Sequence, residues 1–226
     1  MTSATRKEEL RRNVLAEWLG ACIAFVRGHR TAAMAAAIAV VVAVIAGLGF
    51  RWYQEGRERE ADRALAQAYG VLQSQNPQTP ADPVEGMKQL RVIAQTFPGT
   101  RSAEEALLRL AYLHYDAQKL DEALATFDEY DKSYPHGRFR VMADLGRGYA
   151  LIGKQNLDGA AQAFSGIIAR DGIDPLAGEA YMSLARVYEA QKKTDEALKI
   201  YGQVVEKFPQ TNWSQDALQR MNALRQ

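Results

Sequence analysis

Three different patterns of hydrophobic and polar residues follow one another along this chain. Residues 8–27 place apolar side chains at every fourth position, which predicts an amphipathic helix. Residues 31–50, TAAMAAAIAVVVAVIAGLGF, are uncharged and almost entirely apolar. From residue 52 onward the apolar positions recur at helical spacing, and no stretch has the alternation of a strand. We therefore predict an all-α protein with a distinct N-terminal part.

The uncharged run is long enough to cross a membrane. Its 20 residues rise by about 1.5 Å each and so span the roughly 30 Å hydrocarbon core. Arg30 and Arg51 bound the run, and Trp52 and Tyr53 follow it, as expected at a membrane interface. Helices of this length in soluble proteins usually show a polar stripe, and this run has none. A cleaved signal peptide would have a shorter apolar region. We predict a single transmembrane helix over residues 31–51.

The rest of the chain repeats with a period of 37 residues. Phe97-Pro98-Gly99-Thr100, Tyr134-Pro135-His136-Gly137 and Phe208-Pro209-Gln210-Thr211 lie 37 and 74 residues apart. Small residues and large ones fall into columns at the same period: Gly86, Ala123, Ala160 and Ala197, followed four positions later by Leu90, Phe127, Phe164 and Tyr201. Small residues facing large ones allow two antiparallel helices to approach closely. Each repeat is therefore predicted to be a helical hairpin stacked on its neighbours.

Capping signals mark the predicted helix starts. Asp82, Ser102, Asp174 and Asn212 are the expected N-caps, and Pro83 and Glu85 support the first of them.

The predicted organisation is a cytoplasmic amphipathic tail (1–30), the transmembrane helix (31–51), a helical stalk that begins the first repeat (52–75) and a repeat domain (76–226).

These columns resemble the tetratricopeptide repeat, in which a small residue in helix A is followed by Ala, an aromatic residue and a terminating Pro in helix B. The resemblance covers roughly residues 61–225 and implies an α-solenoid of about four hairpins with a final capping helix. The third repeat departs from the pattern, with Arg147 at a usually apolar position and Gly172 in place of Pro.

In this family the first helix of each hairpin lines a concave groove. Matching the motif by position implies a partner-binding groove made of Leu108, Tyr112, Tyr115, Met142, Leu145, Tyr149, Ile152, Met182, Arg186 and Glu189. Tyr and Met offer adaptable apolar area for extended segments. The alternative is that several of these residues pack between repeats. The Lys/Asn set that clamps C-terminal carboxylates in chaperone-binding members is absent.

Composition disfavours enzymatic and nucleic-acid functions. Lys+Arg 28 against Asp+Glu 27 gives a net charge of +1, so the chain lacks a global field for nucleic acid. One Cys and three His make a zinc site improbable, and the sequence has no phosphate-binding loop or nucleophile motif. His114 shares a column with Leu151 and Tyr188, so we expect a packed structural histidine. We predict no catalytic residue, metal, cofactor or small-molecule substrate.

The order of the segments and the end of the membrane helix, Leu48 to Tyr53, which includes Gly-Phe-Arg-Trp-Tyr, resemble the ancillary Sec-translocon subunit family of bacterial inner membranes. The resemblance implies a cytoplasmic N-terminus and a periplasmic repeat domain, with translocon subunits, unfolded envelope proteins or chaperones as partners beside membrane lipid. The arginines that flank the apolar run are balanced between its two sides, but Arg6 and Lys7 extend the positive charge of the short N-terminal tail and favour a cytoplasmic N-terminus. The inverted topology would instead make the protein a cytosol-facing repeat receptor. The repeat boundaries also resemble those of outer-membrane assembly lipoproteins and cell-division coordinators. A scaffold for outer-membrane assembly or cell division is therefore the alternative.

The apolar run carries a row of small residues at i,i+4 spacing: Ala35, Ala39, Ala43 and Gly47. Such rows allow helices to approach closely in lipid, which predicts a membrane contact face. With eight Ala and two Gly among the 20 residues, chance is the alternative origin of the row.

Overall fold

The computed structural model describes residues 28, 30–73, 75–76, 79–171 and 176–226. The predicted amphipathic helix over 8–27, the predicted cap at Asp174 and the departure at Gly172 lie outside these residues. Within the described ranges the chain forms nine α-helices: α1 Arg30–Leu72, α2 Pro83–Thr96, α3 Arg101–Asp116, α4 Leu120–Ser133, α5 Arg140–Gly153, α6 Leu157–Asp171, α7 Ala177–Ala190, α8 Thr194–Lys207 and α9 Asn212–Leu224. A two-residue antiparallel ladder, β1 Gln75–Asn76 with β2 Thr79–Pro80, closes the loop between α1 and α2. Because this ladder only closes a turn, the all-α prediction is confirmed.

The chain divides into two compact units, Met1–Gly56 and Arg57–Gln226. In the first unit every side chain from Ile38 to Phe50 is exposed. The stretch Ile38–Leu72 of α1 contains a window with a mean hydropathy of 1.3, long and apolar enough to cross a membrane. Exposed apolar residues in a run of this length are typical of a lipid-facing helix.

The second unit is a row of helical hairpins followed by a final helix. Residues 57–72 of α1 and helix α2 share a core with the start of the next hairpin, around Leu65, Leu90 and Leu110. The pairs α3–α4, α5–α6 and α7–α8 form the next three hairpins, and α9 packs on α8. Each hairpin also contacts the following one, so the core runs through the whole unit, as in a solenoid.

Burial confirms the 37-residue register. Ala123, Ala160 and Ala197 have no exposed surface, and neither do Phe127, Phe164 and Tyr201, which follow them by four residues. The small residues of the preceding helices are also required. A Cβ atom added at Gly148 would lie 2.5 Å from Cζ of Phe164, too close for a real contact.

The threonine of each Phe-Pro-x-Thr boundary links two consecutive helices through its side-chain hydroxyl. At the first boundary Thr100 Oγ1 donates to the carbonyl oxygen of Phe97 at 2.7 Å and accepts the N–H of Ala103 at 3.1 Å. Thr211 makes the equivalent bonds before α9, at 2.7 and 3.2 Å. One hydroxyl thus holds the end of one helix and caps the start of the next.

These bonds correct two of the predicted caps. Asp82 is confirmed, because its carboxylate accepts two N–H groups of the first turn of α2, both at 3.0 Å. The predictions for Ser102 and Asn212 are wrong. Both residues already lie inside their helices, and Ser102 bonds to Asp62 instead. The threonines before them keep the extended backbone that an N-cap needs.

The boundary before α5 uses a different device, because Gly137 occupies the threonine position. The buried carboxylate of Glu104 takes the place of the cap. It accepts the Tyr130 hydroxyl at 2.6 Å and the Phe139 N–H at 3.3 Å. A Cβ atom at Gly137 would lie 2.5 Å from that carboxylate, so glycine leaves room for it. Glu104 therefore joins two consecutive hairpins.

Candidate partner-binding surface

The first helices of the hairpins form one face of the repeat domain, which we call the helix A face: residues 57–72 of α1, with α3, α5 and α7. The ten predicted groove residues occupy three environments on it. Three are buried in the cores: Leu108, Leu145 and Met182. Four are half-buried: Tyr112, Tyr115, Tyr149 and Glu189. The other three are exposed: Met142, Ile152 and Arg186. The surface available to a partner is therefore smaller than the predicted set.

A row of tyrosines runs along the helix A face and ties each hairpin to the next. Tyr69 donates its hydroxyl to Glu105 at 2.9 Å. Tyr112 donates to the carbonyl oxygen of Met142 at 2.7 Å, and Tyr149 donates to Glu179 at 2.8 Å. Their rings thus line the face while their hydroxyls fix the spacing of the hairpins.

Sequence reasoning missed Tyr69 as a member of this row. It lies 43 residues before Tyr112 (112 − 69), because the lengthened loop between α1 and α2 breaks the 37-residue period. Counting back from Tyr112 by the period alone leads to Gln75, in that loop. A search that allowed an insertion in the loop would have found Tyr69.

Glu179 is a second residue that the sequence did not reveal. Its carboxylate accepts the Tyr149 hydroxyl at 2.8 Å, the Ser183 hydroxyl at 3.4 Å and the indole N–H of Trp213 at 3.3 Å. It therefore connects the third hairpin, the fourth hairpin and the final helix. Such a shared acceptor makes the C-terminal end of the face rigid.

The tyrosines of the row remain hydrogen-bond donors at neutral pH. Burial raises the pKa of Tyr112 to about 12, and the nearby carboxylate of Asp116 adds to this effect. Burial also raises the pKa of Tyr149, and the neighbouring carboxylate of Glu179 raises it further. Neither phenol ionises near pH 7, so both hydroxyls keep the proton that they donate to the next hairpin.

Charged side chains close the C-terminal end of the helix A face. Arg186 lies 3.9 Å from the carboxylate of Asp216 in the final helix. Glu189 accepts the Tyr201 hydroxyl and lies 3.8 Å from the Arg220 guanidinium. These charges already have partners within the domain, whereas Met142 and Ile152 are 38% and 36% exposed. The free apolar surface is therefore on α5, in the middle of the face.

Two comparisons place the chain among known proteins. Residues 62–226 match the family model YfiO, described as an outer membrane lipoprotein. A protein of Neisseria gonorrhoeae (strain ATCC 700825 / FA 1090), named ancillary SecYEG translocon subunit, is 30% identical over 183 residues, which cover 80% of this chain and 83% of that protein. The chain belongs to the ancillary SecYEG translocon subunit family, with a repeat domain of the YfiO type. The resemblance noted in the sequence is thus confirmed.

Solved structures of other proteins share the fold. A tetratricopeptide repeat protein from Parabacteroides merdae ATCC 43184 superposes with a TM-score of 0.60 at 12% identity, over 74% of this chain and 60% of that one. A double mutant of MamA RS-1 superposes with a TM-score of 0.53 at 16% identity, over 76% of this chain and 83% of that one. These similarities confirm the tetratricopeptide-like solenoid.

The predicted membrane contact face lies in the first unit. Ala35, Ala39, Ala43 and Gly47 are all exposed on α1, and a Cβ atom at Gly47 would meet nothing within 4 Å. The row is thus open to a neighbouring helix, and its role in contact remains a prediction.

His114 is half-buried in α3, and its Nδ1 atom is buried without a hydrogen-bond partner among the residues that the structure describes. Burial lowers the pKa of this imidazole, as do the charges of Arg91 and Lys119, whereas Glu122 acts in the opposite direction. Among the described residues no group of three or more His, Cys, Asp or Glu is arranged to hold a metal ion. A structural role for His114 remains a prediction.

We expect His114 to make the repeat domain sensitive to acid. Because its pKa in the folded state lies below the ordinary value of 6.5, the unfolded chain binds the proton more readily. Stability is then lost as the pH falls below 6.5. His114→Leu should reduce the stability difference between about pH 7.5 and pH 5.5, measured by urea unfolding of the full chain in detergent. An unchanged difference would exclude His114 as its source.

Proposed function

We propose that this protein is a membrane-anchored, non-catalytic repeat scaffold that binds the protein translocon and envelope polypeptides or chaperones next to it. The observation that carries this proposal is the similarity to a protein named ancillary SecYEG translocon subunit, which extends over 80% of the chain. An apolar segment long enough to cross a membrane and a repeat domain with a tyrosine-lined face support it. Repeat solenoids generally use such extended faces for protein binding.

The middle of the helix A face is the proposed contact surface for polypeptide. Met142 and Ile152 are exposed on α5, and Tyr115 is half-buried on α3. Flexible Met side chains adapt to varied apolar segments, and Tyr side chains add contact area at a low conformational-entropy cost. The tyrosine row beneath them holds the hairpins at fixed spacing, so the surface is formed before a partner binds.

Site-specific photocrosslinking tests the proposal. A photoreactive amino acid placed at Met142 or Ile152 should crosslink to translocon subunits or to a translocating envelope protein. The same probe at Lys199, exposed on α8, serves as the matched control and should give few crosslinks. Equal crosslinking from all three positions, or none from α5, would show that the helix A face is not the contact surface.

The proposed topology places the N-terminus in the cytoplasm and the repeat domain in the periplasm of the bacterial inner membrane. A reporter that is active only in the periplasm should be active when fused after Gln226. The same reporter fused after Arg12 of a truncated chain should be inactive. The reverse pattern would make the protein a cytosol-facing receptor and would exclude the proposed function.

The row of small residues on α1 is proposed to be a contact face for another membrane helix. Ala39→Leu together with Ala43→Leu keeps the segment apolar, so insertion should be preserved. The added side chains should prevent close approach and so reduce co-purification of translocon subunits in mild detergent. The variant with Val40→Leu and Val44→Leu, off the row, is the control. Full recovery with both alanines replaced would mean that the helix only anchors the domain.

A second candidate function follows from the family model. Residues 62–226 match a model described as an outer membrane lipoprotein. We therefore propose, as the alternative, a scaffold for outer-membrane assembly or cell-division coordination. Co-purification from membranes distinguishes the two candidates. Recovery of translocon subunits supports the first, and recovery of outer-membrane assembly components without the translocon supports the second.

A further inference from the structure

An open cavity lies between α1 and α3, the first helices of the first two hairpins, within the Arg57–Gln226 unit. Its volume is about 340 Å³, which falls in the range of small-molecule sites, roughly 300–1,000 Å³. Leu65 and Ala66 give it an apolar side. Charged side chains of both signs complete its lining: Glu58, Asp62, Arg101, Glu105 and Arg138. We call it the first-hairpin cavity, and its charges suit a ligand that also carries both signs.

The three carboxylates that line the cavity are held in place by donors of the domain. Glu58 accepts the backbone N–H of Arg101 at 3.0 Å. Glu105 accepts the Tyr69 hydroxyl at 2.9 Å, and Asp62 accepts a serine hydroxyl of α3. An ionised carboxylate has about four acceptor sites, so each can still accept an N–H donor that enters the cavity. Because these groups are fixed beforehand, a donor binds them at little entropic cost.

The two arginines of the cavity are not explained by the stability of the helices. Arg101 is the first residue of α3, where the helix dipole disfavours a positive charge. It is exposed, and within the described residues its guanidinium makes no ion pair. Arg138 lies 3.6 Å from Glu105 and donates to the carbonyl oxygen of Arg101 at 3.4 Å, yet its side chain remains 46% exposed. Both guanidinium groups can therefore reach an anion from outside the domain.

The first-hairpin cavity is also close to the membrane anchor along the chain. The predicted transmembrane segment ends at Arg51, and Glu58 follows seven residues later. Seven residues reach at most about 25 Å when fully extended, which limits the distance between the Glu58 end of the cavity and the lipid headgroups. Such a tether gives the headgroups a high effective concentration at the cavity.

We propose that the first-hairpin cavity binds the headgroup of phosphatidylethanolamine from the membrane that holds α1. The phosphate oxygens accept N–H groups of Arg101 and Arg138, as is common for guanidinium groups. The primary ammonium group donates to the carboxylates of Glu58 and Asp62. This inference rests on the membrane anchor of the proposed function, but it does not depend on the protein partners.

Other headgroups satisfy this cavity less well. The trimethylammonium group of phosphatidylcholine has no N–H to donate to the carboxylates. Phosphatidylglycerol has no cation, so its phosphate would add a negative charge beside three carboxylates. The cavity should therefore prefer phosphatidylethanolamine to both.

Photocrosslinking locates the lipid. The full chain is reconstituted in nanodiscs that contain phosphatidylethanolamine and phosphatidylcholine. A photoreactive amino acid at Ala66, which lines the cavity, should crosslink mainly to phosphatidylethanolamine. The same probe at Gln67, the next residue of α1, is the matched control, because this residue is exposed and is not part of the cavity lining. It should give few lipid crosslinks.

Native mass spectrometry of the full chain in mild detergent, with equal amounts of the three lipids, measures the preference. We expect phosphatidylethanolamine to bind about tenfold more tightly than phosphatidylcholine, because only its ammonium can donate to the carboxylates. Arg101→Gln removes a guanidinium and Ala66→Trp fills the cavity, so each should abolish the preference. Arg225→Gln, at an exposed position after α9, is the matched control and should retain it.

Equal binding of the three lipids, or a preference that survives Ala66→Trp, would overturn the inference. Either result would leave the proposed function intact, because crosslinking of proteins from Met142 does not depend on the headgroup. Glycerophosphoethanolamine, which has the same headgroup without acyl chains, should compete only weakly. Competition equal to that of the intact lipid would assign the cavity to a soluble ligand and overturn the lipid assignment. A full chain that binds none of the lipids would contradict both the inference and the membrane anchor.

Discussion

Replacing Glu104 by alanine is expected to lower the free energy of unfolding of the repeat domain by about 2–4 kcal/mol. The buried carboxylate accepts the Tyr130 hydroxyl and the Phe139 N–H, and alanine would leave both donors without it. Because these donors belong to two consecutive hairpins, the loss should affect more than one repeat. Urea unfolding of the full chain in detergent, followed by circular dichroism, measures the effect.

Two further variants define the cause of this loss. Tyr130→Phe alone should lower the free energy of unfolding by about 1–2 kcal/mol. The double variant, Glu104→Ala with Tyr130→Phe, should lower it by less than the sum of the two single variants. Glu122 is exposed in the first turn of α4, so Glu122→Ala is the control. It should lower the free energy of unfolding by at most about 1 kcal/mol. Additive losses for Glu104 and Tyr130 would mean that the two side chains do not act together.

The fold could be predicted because its signals repeat. Ala123, Ala160 and Ala197 recur at a fixed interval, and each must be small for a local reason, the approach of a large residue on the paired helix. A local requirement repeated at a fixed period is visible without knowledge of the tertiary structure. The errors at the helix starts have a different cause. Several polar residues near each boundary can accept a backbone N–H, and the choice of Thr100 over Ser102 depends on which residue keeps an extended backbone.

The candidate site was less predictable because its contacts join different hairpins. The sequence placed Tyr112 and Tyr149 on the helix A face but could not show that their hydroxyls reach the next hairpin, at Met142 and Glu179. Leu108 fits the groove position of the motif, yet the structure buries it. These outcomes depend on the stagger between neighbouring hairpins, which the sequence pattern of a single hairpin does not contain.

Arg147 illustrates how a departure from the repeat pattern is accommodated. It occupies a usually apolar position in α5, where an unpaired charge would be costly. The structure surrounds it with carboxylates: Asp128 at 3.4 Å, Asp144 at 3.8 Å and Asp131. Two of these lie on the preceding helix B, so the compensation involves the neighbouring hairpin. The sequence marked the departure, and the compensating residues became apparent only in three dimensions.

Ala160→Leu is expected to destabilise the repeat domain by about 1–3 kcal/mol, because a closely packed core has no room for the added atoms. Ala160 has no exposed surface and lies in a cluster with Leu145, Phe164 and Leu184. These residues come from both helices of the third hairpin and from the first helix of the fourth. The larger side chain must therefore separate the third hairpin from the fourth as well as its own two helices.

The matched control for this substitution is Ala125→Leu, at an exposed position of α4. It adds the same atoms to a helix of the same kind without entering a core, and it should change stability by no more than about 0.5 kcal/mol. Hydrogen exchange should locate the damage. Faster exchange in α7 as well as in α5 and α6 is expected for Ala160→Leu, since neighbouring hairpins stabilise one another. Faster exchange confined to α6 would show that the core is divided between hairpins and that the proposed coupling along the solenoid is absent.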